Sequence, residues 1–544
     1  METVTIALIM LLAVVASVAV VRISPIPLPL PLVQIVIGVL VDVVAQVGVE
    51  LRPDIFFLLF LPPLLFLDGW RIPKEGLFRD KVTILELALG LVVFTIFGVG
   101  FFINWLVPAM PLAVALALAA IISPTDPIAV TAISRRVAIP RRLMHILEGE
   151  SLLNDASALV CMRFAVAAAV TGAFSLASAL GTFLWLATAG ITIGIGVTWV
   201  IVVAKNWLSH RFGEEPGPQI LISLLIPFGA YLLAENLHCS GILAAVSAGI
   251  TMSYVEQGQV LPLTRIRRSA FWDMIQFTAN GVIFVLLGEQ LPRLVTSAAA
   301  VVHETGHHDP AWLVIYVIAI NAALAALRFA WVWTSLRFTL VRAHLRGQKP
   351  FVPSWRLIAA TSVAGVRGAL TLAGVLTLPL TIGEAPFPAR DLAIFLAAGV
   401  IIMSLVVATT TLPFLLKNLE LPPEPSLQEE EDKARNAAAK AAIAAIEQLQ
   451  HDMADGQIDA DLYVNAALRV TSLYRRRIEG RSKSGEEAEL AHKALDIERR
   501  LAVVGLRAER AELYRSAHNR DIPDELAQKL IREIDLLESH IATT

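Results

Sequence analysis

The chain has 544 residues, 56% of them hydrophobic and 17% charged, with a formal net charge of −3. A mean hydropathy of +0.67 excludes an ordinary soluble globular protein. The sequence holds no basic tract suited to nucleic acid and no phosphate-cradling Gly-rich loop followed by Lys, which argues against ATP-driven pumping by this polypeptide alone.

The apolar character is unevenly spread. Residues 425–544 hold 18 of the 44 Lys and Arg and 23 of the 47 Asp and Glu. The change comes at Leu421-Pro422-Pro423-Glu424-Pro425. It predicts an all-α polytopic membrane domain over residues 1–420 and a cytoplasmic α-helical C-terminal domain over residues 425–544. The N-terminus starts Met-Glu-Thr without a positive flank, so residues 4–21 read as a retained first span rather than a cleaved signal.

Apolar windows long enough to cross a ~30 Å hydrocarbon core fall at about 4–21, 28–48, 54–69, 82–107, 110–134, 144–171, 176–204, 218–236, 239–255, 270–291, 311–336, 356–380 and 391–416. These predict about thirteen transmembrane helices. Alternate connections carry 20 Lys and Arg, from Arg22 to Lys417, against Arg52, Arg293 and Arg390 in the other set. The positive-inside bias puts the N-terminus outside and the tail in the cytoplasm. A bacterial inner (cell) membrane fits this bias. Cys161 and Cys239 both fall in apolar segments and read as small packed hydrophobes.

In the fifth window, Asp126 is bracketed by Pro124 and Pro127. Proline removes a backbone donor and clashes with the preceding turn, so this span should break into two half-helices. A broken helix inside a bundle exposes carbonyls and amides that can serve as ion ligands. The plainer alternative is a proline kink whose Asp faces an aqueous vestibule.

The sixth window carries Glu150, Ser151, Asn154 and Asp155. Helical spacing stacks Ser151 on Asp155, and Glu150 on Asn154 along the adjoining strip. Two carboxylates, a hydroxyl and an amide on one narrow face are hard oxygen donors, suited to Na⁺ or Li⁺ rather than a soft transition metal. A carboxylate at mid-bilayer costs at least ~3 kcal/mol, so Asp126, Glu150 and Asp155 together point to an ion or proton pathway. A polar seam between helices is the alternative.

Arg163, Arg328 and Arg367 also lie inside spans, and each needs a carboxylate or helix-end carbonyls. For Arg163 a structural helix pair and a pathway role stand side by side. Asp68 reads equally as a pathway residue or an interfacial cap. His303, His307 and His308 read as a solvated outer loop rather than a metal cluster. The tail predicts helices over Lys433–Gln450, Leu462–Ile478, Glu486–Ala517 and Glu525–Ser539, with turns at Asp455-Gly456, Gly480–Gly485 and Asp521-Ile522-Pro523. It reads as a helical bundle or coiled-coil cap with an unassigned partner.

Ser123-Pro124-Thr125-Asp126-Pro127, Glu148-Gly149-Glu150-Ser151-Leu152-Leu153-Asn154-Asp155 and Gly365-Val366-Arg367-Gly368-Ala369-Leu370 resemble, in order and spacing, the signature set of the monovalent cation:proton antiporter family. The nearer branch is the NhaP-type and animal sodium/proton exchangers. Leu61-Pro62-Pro63-Leu64-Leu65-Phe66-Leu67-Asp68-Gly69 is similar to a further motif of that branch, and the likeness covers roughly residues 1–420. The resemblance implies the inverted-repeat antiporter fold with broken helices, divided into a dimerisation domain and a mobile core, and hence a homodimer in lipid. It implies a secondary transporter for pH homeostasis rather than an enzyme, with Na⁺ (or Li⁺) and H⁺ as cargo and no cofactor. Asp155 is implied as the principal ion- and proton-binding carboxylate. Asp126, Ser151 and the backbone carbonyl of Thr125 complete the Na⁺ site. Asn154 stands where electrogenic relatives carry a second Asp, which implies electroneutral exchange. Arg328 is implied as the partner of Glu150, and Arg367 as a support near the fifth-span break; the residues alone leave open which arginine meets which acid. On this reading H⁺ and cation compete for Asp155 and Asp126 during alternating access. K⁺/H⁺ exchange on the same scaffold is the alternative, with a cation channel and a non-transporting sensor as readings from other classes.

Overall fold

The computed structural model describes residues 2–25, 28–45, 53–72, 81–126, 141–171, 176–256, 261–304, 311–345, 354–382, 385–417, 427–454, 460–482 and 486–543. Two compact units emerge, Met1–Glu420 and Leu421–Thr544. Pro127, the histidines at 307 and 308 and the Asp455-Gly456 turn lie outside the described residues, as does the side chain of His303.

The first unit runs α1 (Glu2–Ile23), α2 (Leu30–Ala45), α3 (Pro53–Arg71), α4 (Lys81–Leu85), a π-helical segment (Glu86–Leu91), α5 (Val92–Leu106), α6 (Leu112–Ile122), α7 (Arg141–Thr171), α8 (Leu176–Phe212), α9 (Pro216–Asn236), α10 (Gly241–Val255), α11 (Pro262–Glu304), α12 (Ala311–Leu345), α13 (Trp355–Val363), α14 (Ala369–Leu376) and α15 (Arg390–Leu416). Eight described helices are long and apolar enough to cross a bilayer, and three shorter apolar ones join them. The fifth window survives as α6 followed by non-helical Ser123–Asp126. The twelfth divides into α13 and α14 around Ala364–Gly368, where two glycines flank Arg367. Window length alone therefore overstates continuous helix wherever Pro or Gly interrupts it. The otherwise helical fold includes one antiparallel pair, Thr381–Ile382 with Ala385–Pro386.

Helix α6 sits at the centre. Residues Ala117 to Ile122 are at most 2% exposed, so this helix is apolar all round because protein surrounds it. It packs between α5 and α7. Elsewhere small residues set the helix spacing. A Cβ on Gly38 would strike the Val285 carbonyl, and one on Gly288 the Ile35 carbonyl, so α2 and α11 meet backbone to backbone. Gly69 and Gly249 do the same for α3 and α10.

One buried charge cluster departs from the sequence reading. Lys205 and Arg268, counted there as connection cations, have side chains only 5% and 4% exposed. Both pair with Glu256, the Arg268 contact being 2.5 Å, and the Arg268 guanidinium lies 4.9 Å from the Trp70 ring centre. The ends of α3, α8, α10 and α11 are joined there, a grouping that no spacing rule reveals. The cysteines are both free, Cys239 buried and Cys161 half-buried.

The second unit holds α16 (Leu427–Ala454), α17 (Ala460–Ser482), α18 (Glu486–His518) and α19 (Asp524–Thr543). Helix α16 pairs with α17, and α18 with α19. Arg510 and Arg507 both reach Glu538 across the α18–α19 contact and hold its carboxyl below the usual carboxylate range. The turn between these two helices includes Arg520 at φ 65°.

Candidate ion-binding site

The site is built where the segment that ends α6 meets the interruption between α13 and α14. The Asp126 amide donates to the Val366 carbonyl at 2.7 Å, which joins one break to the other. Arg367 is buried and reaches no carboxylate in the hydrogen bonds described. Its Nε donates to the Ile122 carbonyl at 3.0 Å, its Nη1 to the Gly365 carbonyl, and its backbone amide to Ser404 Oγ at 3.2 Å. Ile122 ends α6, so the guanidinium supplies positive charge at a helix C-terminus whose carbonyls have lost their partners.

Helix α7 brings the acidic face of the sixth window against these breaks. Glu150 is 1% exposed and forms a two-pronged pair with Arg328 from α12, at 2.5 Å (Nη1 to Oε1) and 2.7 Å (Nη2 to Oε2). Arg328 Nε donates to the Thr361 carbonyl at 3.1 Å. Thr125 Oγ1 donates to Glu150 Oε1 at 3.2 Å and accepts from Asn154 Nδ2 at 3.2 Å. The chain Asn154–Thr125–Glu150–Arg328 thus links α7, the first break and α12. The question of which arginine meets which acid is answered by geometry: Arg328 meets Glu150, and Arg367 meets carbonyls.

Asp155 is 8% exposed. It lies near enough to Asp126, Asp68 and Glu150 for their charges to act on it. Asp126 and Ser151 are half-buried, and Asp68 on α3 is exposed. Asp155 is thus more deeply buried than Asp126 or Asp68. Asp68 was legible in sequence only as one of two equal readings; its nearness to Asp126 comes from packing of α3. Asn154 Oδ1 is buried and makes no hydrogen bond. It adds an oxygen donor beside Thr125.

Two supports escaped the sequence reading. Ser157 Oγ donates to the Ala88 carbonyl at 2.7 Å, tying α7 to the π-helical segment, where the backbone departs from the α-helical ladder. Gly368 is the other. A Cβ at Gly368 would land on the Asp126 carboxylate, so only glycine leaves that carboxylate its present position. Gly368→Ala should force Asp126 aside at an overpacking cost of ~1–3 kcal/mol, lowering apparent cation affinity about tenfold. Cation titration of exchange in proteoliposomes measures this, and an unchanged half-saturation would refute it.

Arg163 binds Glu235 at the end of α9 at 3.2 Å, with side chains 49% and 33% exposed. Glu235 also accepts from the Gly241 amide that begins α10, at 3.3 Å. Neither side chain joins the Asn154–Thr125–Glu150–Arg328 chain of hydrogen bonds, so Arg163→Gln should slow exchange only a few-fold. A complete loss in the same flux assay would contradict that ranking.

This chain matches the family model described as sodium/hydrogen exchanger, transmembrane, over residues 9–418. The chain belongs to the sodium/hydrogen exchanger family. It is 41% identical over 499 residues to the uncharacterized Na⁺/H⁺ exchanger YjcE of Escherichia coli (strain K12), covering 90% of each chain. The chain is also 36% identical over 541 residues to the sodium, potassium, lithium and rubidium/H⁺ antiporter of Bacillus subtilis (strain 168), covering 98% of this chain and 77% of that one. Among solved structures it resembles the sodium proton antiporter MjNhaP1 of Methanocaldococcus jannaschii at pH 8, with TM-score 0.58 and 19% identity, over 77% of this chain and 99% of that one. That likeness speaks to the fold. The chain is thus a mainly helical membrane protein, and the candidate site lies within the family-matched residues.

Proposed function

We infer that this protein exchanges Na⁺ or Li⁺ for H⁺ across a cell membrane by alternating access, with the two ions competing for Asp155 and Asp126. The observation that carries the reading is the meeting of the α6 end and the α13–α14 interruption beside a cluster of acidic side chains. Ionised, the carboxylates attract a monovalent cation, which Ser151, the Thr125 carbonyl and Asn154 Oδ1 help to surround. Protonated, they lose that charge and release it. Glu150, matched by Arg328, serves as a structural pair and takes no part in the competition. With Asn154 in place of a second acid, one H⁺ moves for each cation and the exchange is electroneutral. The reading includes thirteen spans in two inverted repeats, a homodimer, an outside N-terminus and a cytoplasmic tail.

A second reading, K⁺/H⁺ exchange at the same site, is favoured by the printed substrates of the Bacillus subtilis relative, which include potassium and rubidium. Oxygen ligands do not separate ions of equal charge without a defined cavity size. Reconstituted protein assayed with Na⁺, Li⁺ and K⁺ across pH decides between the two. Na⁺ and Li⁺ should move protons at lower concentration than K⁺, and an imposed membrane potential should leave the rate nearly unchanged. Cation-independent proton leak, or unitary currents, would overturn exchange altogether; strong potential dependence would overturn electroneutrality.

A further inference from the structure

We propose that helix α18 of the tail forms a parallel two-stranded coiled coil with the same helix of a second copy of this chain. One face of α18 is already used: Val503, Leu506, Arg510 and Leu513 are half-buried on the side that packs along α19. The opposite face is not. Leu490, Ile497, Leu501 and Val504 are 66%, 57%, 66% and 64% exposed. Ala494, Ala508 and Ala511 complete the stripe and are exposed too. Their spacing alternates four and three residues from 490 to 511, the heptad seam of a coiled coil sustained for three repeats.

The flanking charges name the occupant and its direction. On one side of the seam stand Lys493, Arg500 and Arg507; on the other stand Glu498, Gly505 and Glu512. In a parallel pair each flanking residue meets the one five positions later on the other helix. Lys493 then faces Glu498, and Arg507 faces Glu512. In an antiparallel pair the cations face cations and the acids face acids, which is unfavourable. Arg507 gives one N–H to Glu538 at 3.1 Å yet remains 68% exposed, and a guanidinium has five donors. A Cβ at Gly505 would meet nothing, in keeping with an uncovered face. The inference does not depend on which ion the membrane unit carries.

Cysteine cross-linking of the full-length protein in membranes tests it, in a background where Cys161 and Cys239 are replaced by Ala. Leu490→Cys should cross-link to its own copy. Leu490→Cys and Ala511→Cys, co-expressed on differently tagged chains, should not cross-link to each other. Lys493→Glu should lower the Leu490→Cys dimer band several-fold, and adding Glu498→Lys to the same chain should restore it. A dominant 490–511 product would overturn the parallel arrangement. So would a Leu490→Cys that stays monomeric, whether or not maleimide labels it, since the seam would then be bare or covered by something other than its twin.

Discussion

Asp155→Asn should abolish cation-driven proton movement in proteoliposomes while leaving the protein folded and, if anything, more heat-stable. The two halves of this expectation have one cause. Asp155 is buried in a cluster in which Asp126, Asp68 and Glu150 all act on it. An amide of nearly the same volume neither binds a proton at working pH nor offers net charge to a cation, so both cargoes lose their shared carrier. Removing one negative charge from a group of like charges also relieves repulsion. Flux against empty liposomes measures the first half, and an apparent melting temperature by size-exclusion chromatography measures the second. Wild-type flux in this variant would remove Asp155 from the centre of the mechanism. Lost flux together with collapse of the folded peak would reassign it to a structural role.

Arg328 carries the largest expected effect on folding. It gives two donors to Glu150 and one to the Thr361 carbonyl, with both charged side chains at most 4% exposed. Taking away the guanidinium strands a carboxylate in a place that water does not reach. Breaking a buried pair in this way costs ~3–5 kcal/mol, whereas replacing both partners is often nearly neutral. Arg328→Met should therefore sharply reduce monodisperse yield and apparent melting temperature. Glu150→Gln combined with Arg328→Met should recover most of both. The double variant should also retain exchange, because this pair holds Thr125 and α7 in place rather than carrying protons. If it is stable yet silent in flux, the pair belongs to the transport machinery.

Much of this arrangement was visible before any coordinates. Prolines around Asp126 marked a helix that must stop, and the observed α6 stops at Ile122. The helical repeat put Glu150, Ser151, Asn154 and Asp155 on neighbouring strips, since that periodicity is local. The tail helices follow the same logic but run past their apolar patterns, at Leu427–Ala454, Ala460–Ser482, Glu486–His518 and Asp524–Thr543, and the second takes in Gly480–Ser482, which the sequence assigns to a turn. Arg163 illustrates the limit. Its two readings were balanced because its partner, Glu235, is 72 residues away. Lys205 and Arg268 read in sequence as connection charges, and their burial against Glu256 depends on where four helix ends converge.

By itself, then, the order of residues determined that this is a membrane protein with a charged helical tail, that acids lie inside its spans, and that its ordered motifs resemble those of cation/proton exchangers. The first two rest on composition and short-range geometry, which a chain expresses wherever its neighbours lie, and the third on the resemblance of the ordered motifs. Only the tertiary structure decided that Arg328 rather than Arg367 meets Glu150, that Gly368 leaves room for the Asp126 carboxylate, and that Asp68 joins the acidic cluster around Asp155. Each of these joins segments tens to hundreds of residues apart. Such contacts are selected by the packing of whole helices, a choice that no local periodicity encodes.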